Sequence, residues 1–349
     1  VGSDNIGTND YLDSWSPVGF IYDGIAGIAP SRLANNDYKW EESRKSEVAL
    51  ELGFLQDRIL FNTNYYYNVT GNQLIDFALT PQVGFEAQRA NFDALVQNSG
   101  WEFELNTVNV RKKDFTWNSS FNLTINKNKL KKFDGIENSS YKDQYVVGES
   151  LTIQKGYEFL RVNPDDGVAE FRDLDGDGDI SEFTDYVILG QYMPKYYGGL
   201  QNSLRYKNLE LDFLFQFVKQ KNYNVPSLLG VAGTATNMPT MMLDHWQQPG
   251  DTGPGQVYTT GGNGEAVEAM YRYAASDGAI TDASYIRLKN VSLRYGFPKR
   301  WTGNIQCRAT LEGQNLLTIT PYKGTDPEFT GYGFIPPLRI VTAGLQFNF

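Results

Sequence analysis

The sequence predicts an all-β fold built from hairpins whose strands have one apolar and one polar face. Long segments alternate between apolar and small or polar residues, as strands do because successive side chains point to opposite faces. Aromatic residues make up 14% of the 349 residues, with 34 Gly, while mean hydropathy is −0.43. No run of about 18 apolar residues is present, so a membrane helix is not expected. Short turns alternate with connections of roughly 20 to 70 residues, which is typical of transmembrane β-barrels.

The first hairpin follows residues 1–46, which are rich in Gly, Asn and aromatic residues and are interpreted as an outer loop region. Apolar residues alternate with polar ones over 47–54 and again over 59–67, with a turn predicted at 56–58. Further strands are predicted at 101–106, 115–126, 197–206, 209–217, 285–296, 305–317 and 339–349. Residues 47–349 would thus supply about nine antiparallel barrel strands, with long extracellular loops at 127–195, 220–283 and 318–337.

The last strand favours a barrel over the edge of a soluble β-sandwich, which is the alternative. Its apolar parity carries Val341, Ala343, Leu345, Phe347 and Phe349, and the chain ends on this aromatic residue. About ten residues suffice for a tilted strand to cross a bilayer. An exposed apolar edge strand would promote aggregation of a soluble protein, whereas a barrel pairs its final strand.

An odd number of strands predicts that the chain is only the carboxy-terminal part of a larger barrel. A complete bacterial barrel has an even strand number, and an open sheet would leave bare edges in lipid. The chain begins at Val1 without a signal peptide. We therefore expect a fragment or a processed chain.

The net charge argues against one function, and the cysteine content excludes one kind of structural framework. The net charge of −10 argues against nucleic-acid binding, because no basic stripe is available to neutralise phosphates. The single cysteine, Cys307, excludes an internal disulfide framework. It lies on the apolar parity of its strand and is expected to be a small lipid-facing residue rather than a reactive thiol.

The segment from Asp173 to Asp185 predicts a structural Ca²⁺ site. Carboxylates at loop positions one, three and five, with Gly178 at six, match the spacing that wraps a backbone around calcium. The pattern departs at position twelve, where Thr184 stands and an acidic residue follows. An unoccupied acidic turn is the alternative. The predicted ligands are Asp173, Asp175, Asp177, Asp179 through its carbonyl, and Asp185.

The only histidine lies beside a tryptophan in the long connection 220–283. One histidine without a partner cannot supply a familiar catalytic triad or a histidine-rich zinc site. His245 and Trp246 are candidate substrate-binding residues, because an indole beside amides can stack on a sugar ring. The favoured alternative is a short helix packed inside the loop.

Charged residues on the polar parity of the strands are expected to face the barrel interior, and aromatic residues near strand ends to lie at the membrane interface. The interior set is Glu47, Glu51, Glu102, Glu104, Glu210, Asp212, Arg294, Arg308 and Glu312. The interface set is Tyr65, Tyr67, Trp101 and Tyr197.

Several segments, taken in order, resemble the carboxy-terminal barrel of the SusC/RagA family of TonB-dependent outer-membrane transporters from Bacteroidetes. They are K-W-E-E-S at 39–43, E-V-A-L-E-L-G-F at 47–54, Y-Y-Y at 65–67, the acidic loop 173–179, Y-Y-G-G at 196–199, S-Y-I-R-L-K-N-V-S-L at 284–293 with Pro298 after it, Q-N-L-L at 314–317 and Y-K-G-T-D-P-E at 322–328. The resemblance covers most of residues 39–349 and is specific only in combination.

The resemblance implies a 22-stranded barrel with an amino-terminal plug and a TonB-contacting segment, neither of which is in this sequence, and a SusD-like lid lipoprotein. Such a protein imports oligosaccharides or peptides across the bacterial outer membrane. A secreted, calcium-braced β domain for binding or adhesion is the alternative function. An outer-membrane enzyme is not expected, because the single histidine leaves a nucleophile without its usual base.

Overall fold

A computed structural model gives the structure of the chain and describes residues 2–3, 9, 11–23, 25–85, 87–329 and 335–349. Two compact units are distinguished. The first unit comprises Val1–Ala49, Asn64–Trp101 and Asn126–Leu151, and the second comprises Leu50–Thr63, Glu102–Ile125 and Thr152–Phe349.

Strands dominate the described residues. They are β1 (Gly2–Ser3), β2 (Ser14–Tyr22), β3 (Ile25–Arg32), β4 (Glu42–Phe54), β5 (Ile59–Gly71), β6 (Gln73–Ala78), β7 (Ala87–Phe92), β8 (Ala94–Arg111), β9 (Phe115–Phe133), β10 (Ile153–Gly156), β11 (Phe159–Val162), β12 (Ala169–Phe171), β13 (Val187–Gln191), β14 (Tyr196–Tyr206), β15 (Leu209–Lys219), β16 (Lys221–Tyr223), β17 (Ile280–Asp282), β18 (Tyr285–Gly296), β19 (Gln306–Ile319) and β20 (Ile340–Asn348).

Helices are few and short. The α-helices are α1 (Gly264–Ala274) and α2 (Lys299–Thr302), and single 3₁₀ turns occur at Pro81–Val83, Ile136–Asn138, Pro226–Leu228, Thr240–Leu243 and Asp277–Ala279. Among the residues described, none of these helices has both the length and the apolar character needed to cross a membrane.

A ten-stranded sheet runs in the order β1-β4-β5-β8-β9-β14-β15-β18-β19-β20 within the described part of the chain. Since β1 has only two residues, nine long strands remain, and the predicted count is confirmed. The turn predicted at Lys207 and Asn208 is also present, because Tyr206 pairs with Leu209 across it. Lys207 has φ +52°, as the first residue of a tight two-residue hairpin turn requires.

Several strand boundaries differ from the prediction, and residues 1–46 are not irregular throughout. Strand β4 begins at Glu42 rather than at 47, β5 continues to Gly71, β8 begins at Ala94 rather than at 101, and β9 continues to Phe133. The hairpin β2–β3 lies outside the large sheet, and its register shifts twice. Such bulges interrupt the period-two pattern, and residues 127–131 alternate lysine with asparagine or leucine. Strand pairing therefore continues where the apolar alternation has disappeared.

In the second unit, side chains on the apolar parity of the large sheet are partly exposed in β15 and exposed throughout β20. Val341 is 67% exposed, Leu345 64% and Phe347 51%. The buried clusters of this unit lie instead in the long connections. One gathers Tyr157, Val168, Ala169, Phe171, Ala266 and Ala269, and the other gathers Ala232, Met242 and Met270. In the first unit, Ala94, Val96, Leu130 and Phe133 form a separate cluster.

Candidate functional site

Three long connections of the second unit meet around one cavity. They are 157–195, 220–284 and 320–329, which are far apart in sequence. Helix α1 helps to hold them together: the Asn263 side chain accepts a hydrogen bond from the Ala266 amide at 3.1 Å and so caps its first turn. Ala266 and Ala269 pack into the first buried cluster and Met270 into the second.

The cavity has a volume of about 250 Å³ and a largely apolar lining. Phe159, Val162 and Ala169 come from the first connection, and Tyr322 and Lys323 from the third. The middle connection contributes most of the wall. Its members include Asn224, Val225, Pro226, Ala232, Met241, Met242, Asp244, Pro254, Gln256, Tyr258, Met270, Tyr273 and Thr281.

Polar groups in this lining are few, and most are already paired. Asn224 donates to the Tyr273 hydroxyl at 2.9 Å and to the Gly278 carbonyl at 2.8 Å. Gln256 is 8% exposed, and its Nε2 donates to the Ala266 carbonyl at 2.6 Å. Its Oε1 is buried without a hydrogen-bond partner in the described structure. Asp244 and Lys323 also line the cavity, and both side chains are exposed.

His245 and Trp246, the predicted substrate-binding residues, follow the cavity segment in sequence but make structural contacts. The imidazole of His245 stacks on the Tyr258 ring with centroids 3.7 Å apart. Trp246 donates its indole N–H to the Pro164 carbonyl at 2.9 Å, and its ring covers Gly167, where an added Cβ would overlap it. A 3₁₀ turn, Thr240–Leu243, ends before both residues, and their substrate-binding role stays a prediction.

The acidic loop brings three of the predicted calcium ligands together. Carboxylate oxygens of Asp173, Asp175 and Asp177 lie within 4.8 Å of one another. The Asp173 carboxylate also accepts hydrogen bonds from the amides of Gly176, at 2.6 Å, and Gly178, at 2.9 Å. This oxygen-rich arrangement fits a hard cation such as Ca²⁺.

Asp185 lies outside that group of three carboxylates. It is fully buried, and its two oxygens accept hydrogen bonds from the Leu174 amide at 2.7 Å and the Ser181 amide at 2.8 Å. These two backbone donors hold the pKa of the Asp185 carboxyl below its ordinary value of 3.8. The side chain therefore closes the loop by binding its backbone. The carbonyl role predicted for Asp179 stays a prediction.

The sequence reasoning missed a buried charge cluster at Arg287, which is 1% exposed. Its guanidinium forms a bidentate pair with Asp326 at 2.7 and 2.8 Å, and donates to Glu328 at 2.8 Å. Its Nε donates to the Thr318 hydroxyl at 3.1 Å, and the guanidinium carbon lies 5.0 Å from the Tyr285 ring centroid. This cluster attaches the segment 326–328 to strand β18.

A β-bulge explains why Arg287 was missed. Arg287 and Arg294 are seven residues apart, so an uninterrupted strand would place them on opposite faces. The register shifts between Leu288 and Asn290, and Arg287 then stands opposite Gln216 while Arg294 stands opposite Glu210. Both partners have the same parity on β15, so both arginines share the polar face.

In β15, β18 and β19 the register places the predicted polar residues on one face; that this face lines a barrel interior stays a prediction. Arg294 pairs with Glu210 in register, and its Nε lies 3.6 Å from the Glu210 carboxylate. It also forms an ion pair with Asp212. Glu312 stands opposite Ser292, and Arg308 opposite Gly296, on the same face. Cys307 is a free thiol of intermediate exposure and stands opposite Phe347.

Comparison with known proteins identifies a family for most of the chain. The profile of the family described as "TonB dependent receptor-like, beta-barrel" matches residues 7–316. TonB-dependent receptor P3 of Formosa agariphila is 30% identical over 369 residues, which cover 93% of this chain and 36% of that protein. TonB-dependent receptor SusC of Bacteroides thetaiotaomicron is 27% identical, over 90% of this chain and 32% of that protein. The chain thus spans about a third of the length of these relatives.

Solved structures show the same fold. The RagAB peptide importer in its open-open state aligns with a TM-score of 0.79 and 23% identity, covering 99% of this chain and 38% of that one. A second structure, of the RagAB peptide transporter, aligns with a TM-score of 0.78 and 21% identity, covering 98% and 39%. At this level of identity the likeness concerns the fold alone.

Proposed function

Because this chain belongs to the TonB-dependent receptor-like β-barrel family, we propose that it is the barrel part of a SusC-type importer of the bacterial outer membrane. Its partners are the remaining barrel strands and plug, TonB acting through the amino-terminal part, and a SusD-like surface lipoprotein. The family match over residues 7–316 carries the proposal. The cargo class is oligosaccharides or peptides.

The faces of the large sheet support this role. Exposed apolar residues such as Leu345 suit contact with lipid tails, whereas a secreted sheet would need polar residues there. The opposite face carries ion pairs such as Arg294 with Glu210, which suits a water-filled interior. A calcium-braced soluble domain is disfavoured by the same exposed faces.

The connections support it as well. The short turns at 55–58, 112–114 and 207–208 alternate along the chain with the long connections 134–195 and 220–284. Consecutive antiparallel strands place such alternate connections at opposite ends. We infer that the long connections face outwards, where they meet substrate and the lid lipoprotein.

We also propose that Asp173, Asp175 and Asp177 hold a structural Ca²⁺. Three carboxylates within 4.8 Å of one another repel unless a cation neutralises them. A bound ion would stiffen the connection between β12 and β13. The ion would order the loop and would take no part in a reaction. No catalytic role is proposed for the chain.

Uptake by cells tests the importer. In a host deleted for the full-length gene, labelled peptides or oligosaccharides recovered from growth medium should no longer enter. Reintroducing the full-length gene should restore uptake, and removal of TonB or of the neighbouring lipoprotein should abolish it again. Uptake that is unchanged by all three deletions would contradict the proposal. Recovery of the protein from membranes without detergent would contradict its placement in the outer membrane.

A further inference from the structure

Methionine is concentrated at the cavity described above. The chain has five methionines; Met241, Met242 and Met270 line the cavity, and Met238 packs against the cluster that includes Met242. Methionine side chains are unbranched and polarisable, and they adapt to apolar partners of different shape, which is why promiscuous binding surfaces use them. Several methionines at the point where three connections meet suit an apolar binding site that adapts to its partner.

The entrance to the cavity is also apolar, although it is exposed. Met241 is 40% exposed and Leu243 is 71% exposed. Leu243 shares a shallow surface with Asp244, Pro254 and Lys323, beside the cavity. An apolar group attached to a polar chain could enter here while its polar part stays in contact with the two charged residues.

The size of the cavity limits what it can hold. A volume of about 250 Å³ lies just below the roughly 300 Å³ at which pockets for whole small molecules begin. It suits a single large side chain rather than a complete oligosaccharide or peptide.

The mainly apolar lining disfavours a sugar ring as the occupant. A pyranose carries several hydroxyls, and each would lose hydrogen bonds to water on burial. Within the described lining, Gln256 Oε1 is an acceptor without a partner, and neighbouring protein atoms cover it. The Ala266 carbonyl holds Nε2 of the same amide, so Oε1 is the end that accepts from a donor once the occupant displaces the groups that cover it. One acceptor suits one N–H, such as that of an indole or a peptide group.

We propose that this cavity captures a large apolar or aromatic side chain of a peptide, while Asp244 and Lys323 contact the peptide's backbone or its charged ends. The inference rests on the proposed import function and assigns it a cargo class, peptides rich in apolar residues. The lining methionines select for apolar bulk and not for one side chain, so Leu, Met, Phe and Trp peptides should all compete.

Photo-crosslinking tests the site directly. The probe is a Gly/Ser peptide that carries one p-benzoylphenylalanine, whose benzophenone reacts readily with methionine. It is applied to the full-length transporter with its lid lipoprotein in detergent. Adducts should map to Met241, Met242 or Met270. An excess of the same peptide with Phe should compete, whereas the matched peptide with Ala should not.

Three variants sharpen the test. Met241→Glu lies at the exposed entrance, where folding should tolerate it, and should reduce adduct formation at least tenfold. Met193→Glu is the matched control at a methionine outside the lining and should leave adducts unchanged. Gln256→Met keeps the volume and should weaken competition by Trp peptides more than competition by Leu peptides, because only tryptophan adds an indole donor.

The outcomes separate this inference from the import function. Adducts that map elsewhere, equal competition by Ala and Phe peptides, or a lid segment found inside the cavity would each overturn the inference. If TonB-dependent peptide uptake continues in Met241→Glu without loss of preference for apolar peptides, the cavity proposal falls while the importer stands. If adducts form as expected but no peptide is taken up, the site stands and the import role falls.

Discussion

The large sheet and the long connections of the second unit place their apolar residues in opposite ways. In β20 every residue is exposed, including Leu345 at 64%. In the connections, Ala266 and Ala279 are fully buried. In the proposed membrane barrel, sheet residues on the apolar parity would have lipid as their solvent and would need no protein partner, whereas the connections must bury apolar surface among themselves. The same chain therefore contains strands suited to lipid and a loop region with the packing of a small water-soluble domain.

The link between the two regions is the place where the largest effect is expected. Arg287 on β18 holds Asp326 and Glu328 of a connection. Arg287→Met should leave the buried carboxylate of Asp326 uncompensated and cost about 3–5 kcal/mol. Thermal unfolding and hydrogen exchange over 322–329 measure it. Lys289→Met is the control, because Lys289 lies 3.8 Å from Glu328 and is about one-third exposed. Equal losses of stability in the two variants would contradict a special role for the buried pair of Arg287 and Asp326.

The lipid-facing assignment of the sheet predicts the next largest effect. Leu345→Arg should destabilise the inserted barrel by about 2–4 kcal/mol if position 345 lies near the bilayer midplane, and by less near an interface. Gln346→Arg, on the opposite face of β20, should cost much less. Unfolding of the full-length protein from lipid vesicles by denaturant checks both. A larger loss for the Gln346 variant would reverse the assigned faces.

Packing inside the connections can be separated from backbone strain with two glycines. Gly167 and Gly176 both have φ +76°, but an added Cβ overlaps Trp246 at Gly167 and meets open space at Gly176. Both alanine variants should carry the strain of a left-handed backbone, about 1–2 kcal/mol. Gly167→Ala should cost a further 1–3 kcal/mol or so from overpacking. Limited proteolysis of the connections reports the difference, and equal cleavage rates would mean that Trp246 moves aside freely.

Calcium should stabilise the connections without affecting the sheet. At ten times its dissociation constant, a bound ion adds about 1.4 kcal/mol. Asp175→Ala should abolish that gain, and Asp165→Ala, at an exposed position before the acidic loop, should retain it. Hydrogen exchange over 173–185, with and without calcium, is the measurement. Identical protection in both conditions would exclude the ion.

Acid should loosen the same loop by a route that does not involve calcium. Backbone hydrogen bonds lower the folded-state pKa of Asp185 below 3.8. The contribution of the Asp185 carboxylate to the stability of the loop is therefore complete above the unfolded-state pKa of about 3.9. It is lost as pH falls through the lower, folded-state pKa. Asp185→Asn should lower the protection of residues 173–185 at neutral pH, and the protection that remains, expressed relative to the intrinsic exchange rate at each pH, should not fall further between about pH 5 and 2. An unchanged pH profile in this variant would assign the acid effect to other carboxylates.

The sheet was largely predictable because each of its strands carries its own evidence. Alternation over 209–217 depends only on neighbouring residues, and so does the two-residue turn at Lys207 and Asn208. The hairpin β2–β3 was not predicted because its bulges interrupt the alternation of apolar and polar residues. The end of β9 was not predicted because polar residues lie on both of its faces.

The candidate site was only partly predictable. The spacing of Asp173, Asp175 and Asp177 is local, and the structure brings their carboxylates together as the motif suggested. Met238, Met241 and Met242 lie close together in the sequence, and this grouping was a signal for the cavity that was not used.

Sequence alone determined that the chain alternates as barrel strands, how many long strands it has and which parity of each strand is apolar. Tertiary structure alone decided that Arg287 lies on the polar face, because one extra residue at Lys289 reverses the parity of every residue beyond it. It also decided that Phe159, Met242 and Tyr322 line one cavity. Their connections are separated by whole hairpins, and only the pairing of those hairpins brings them together.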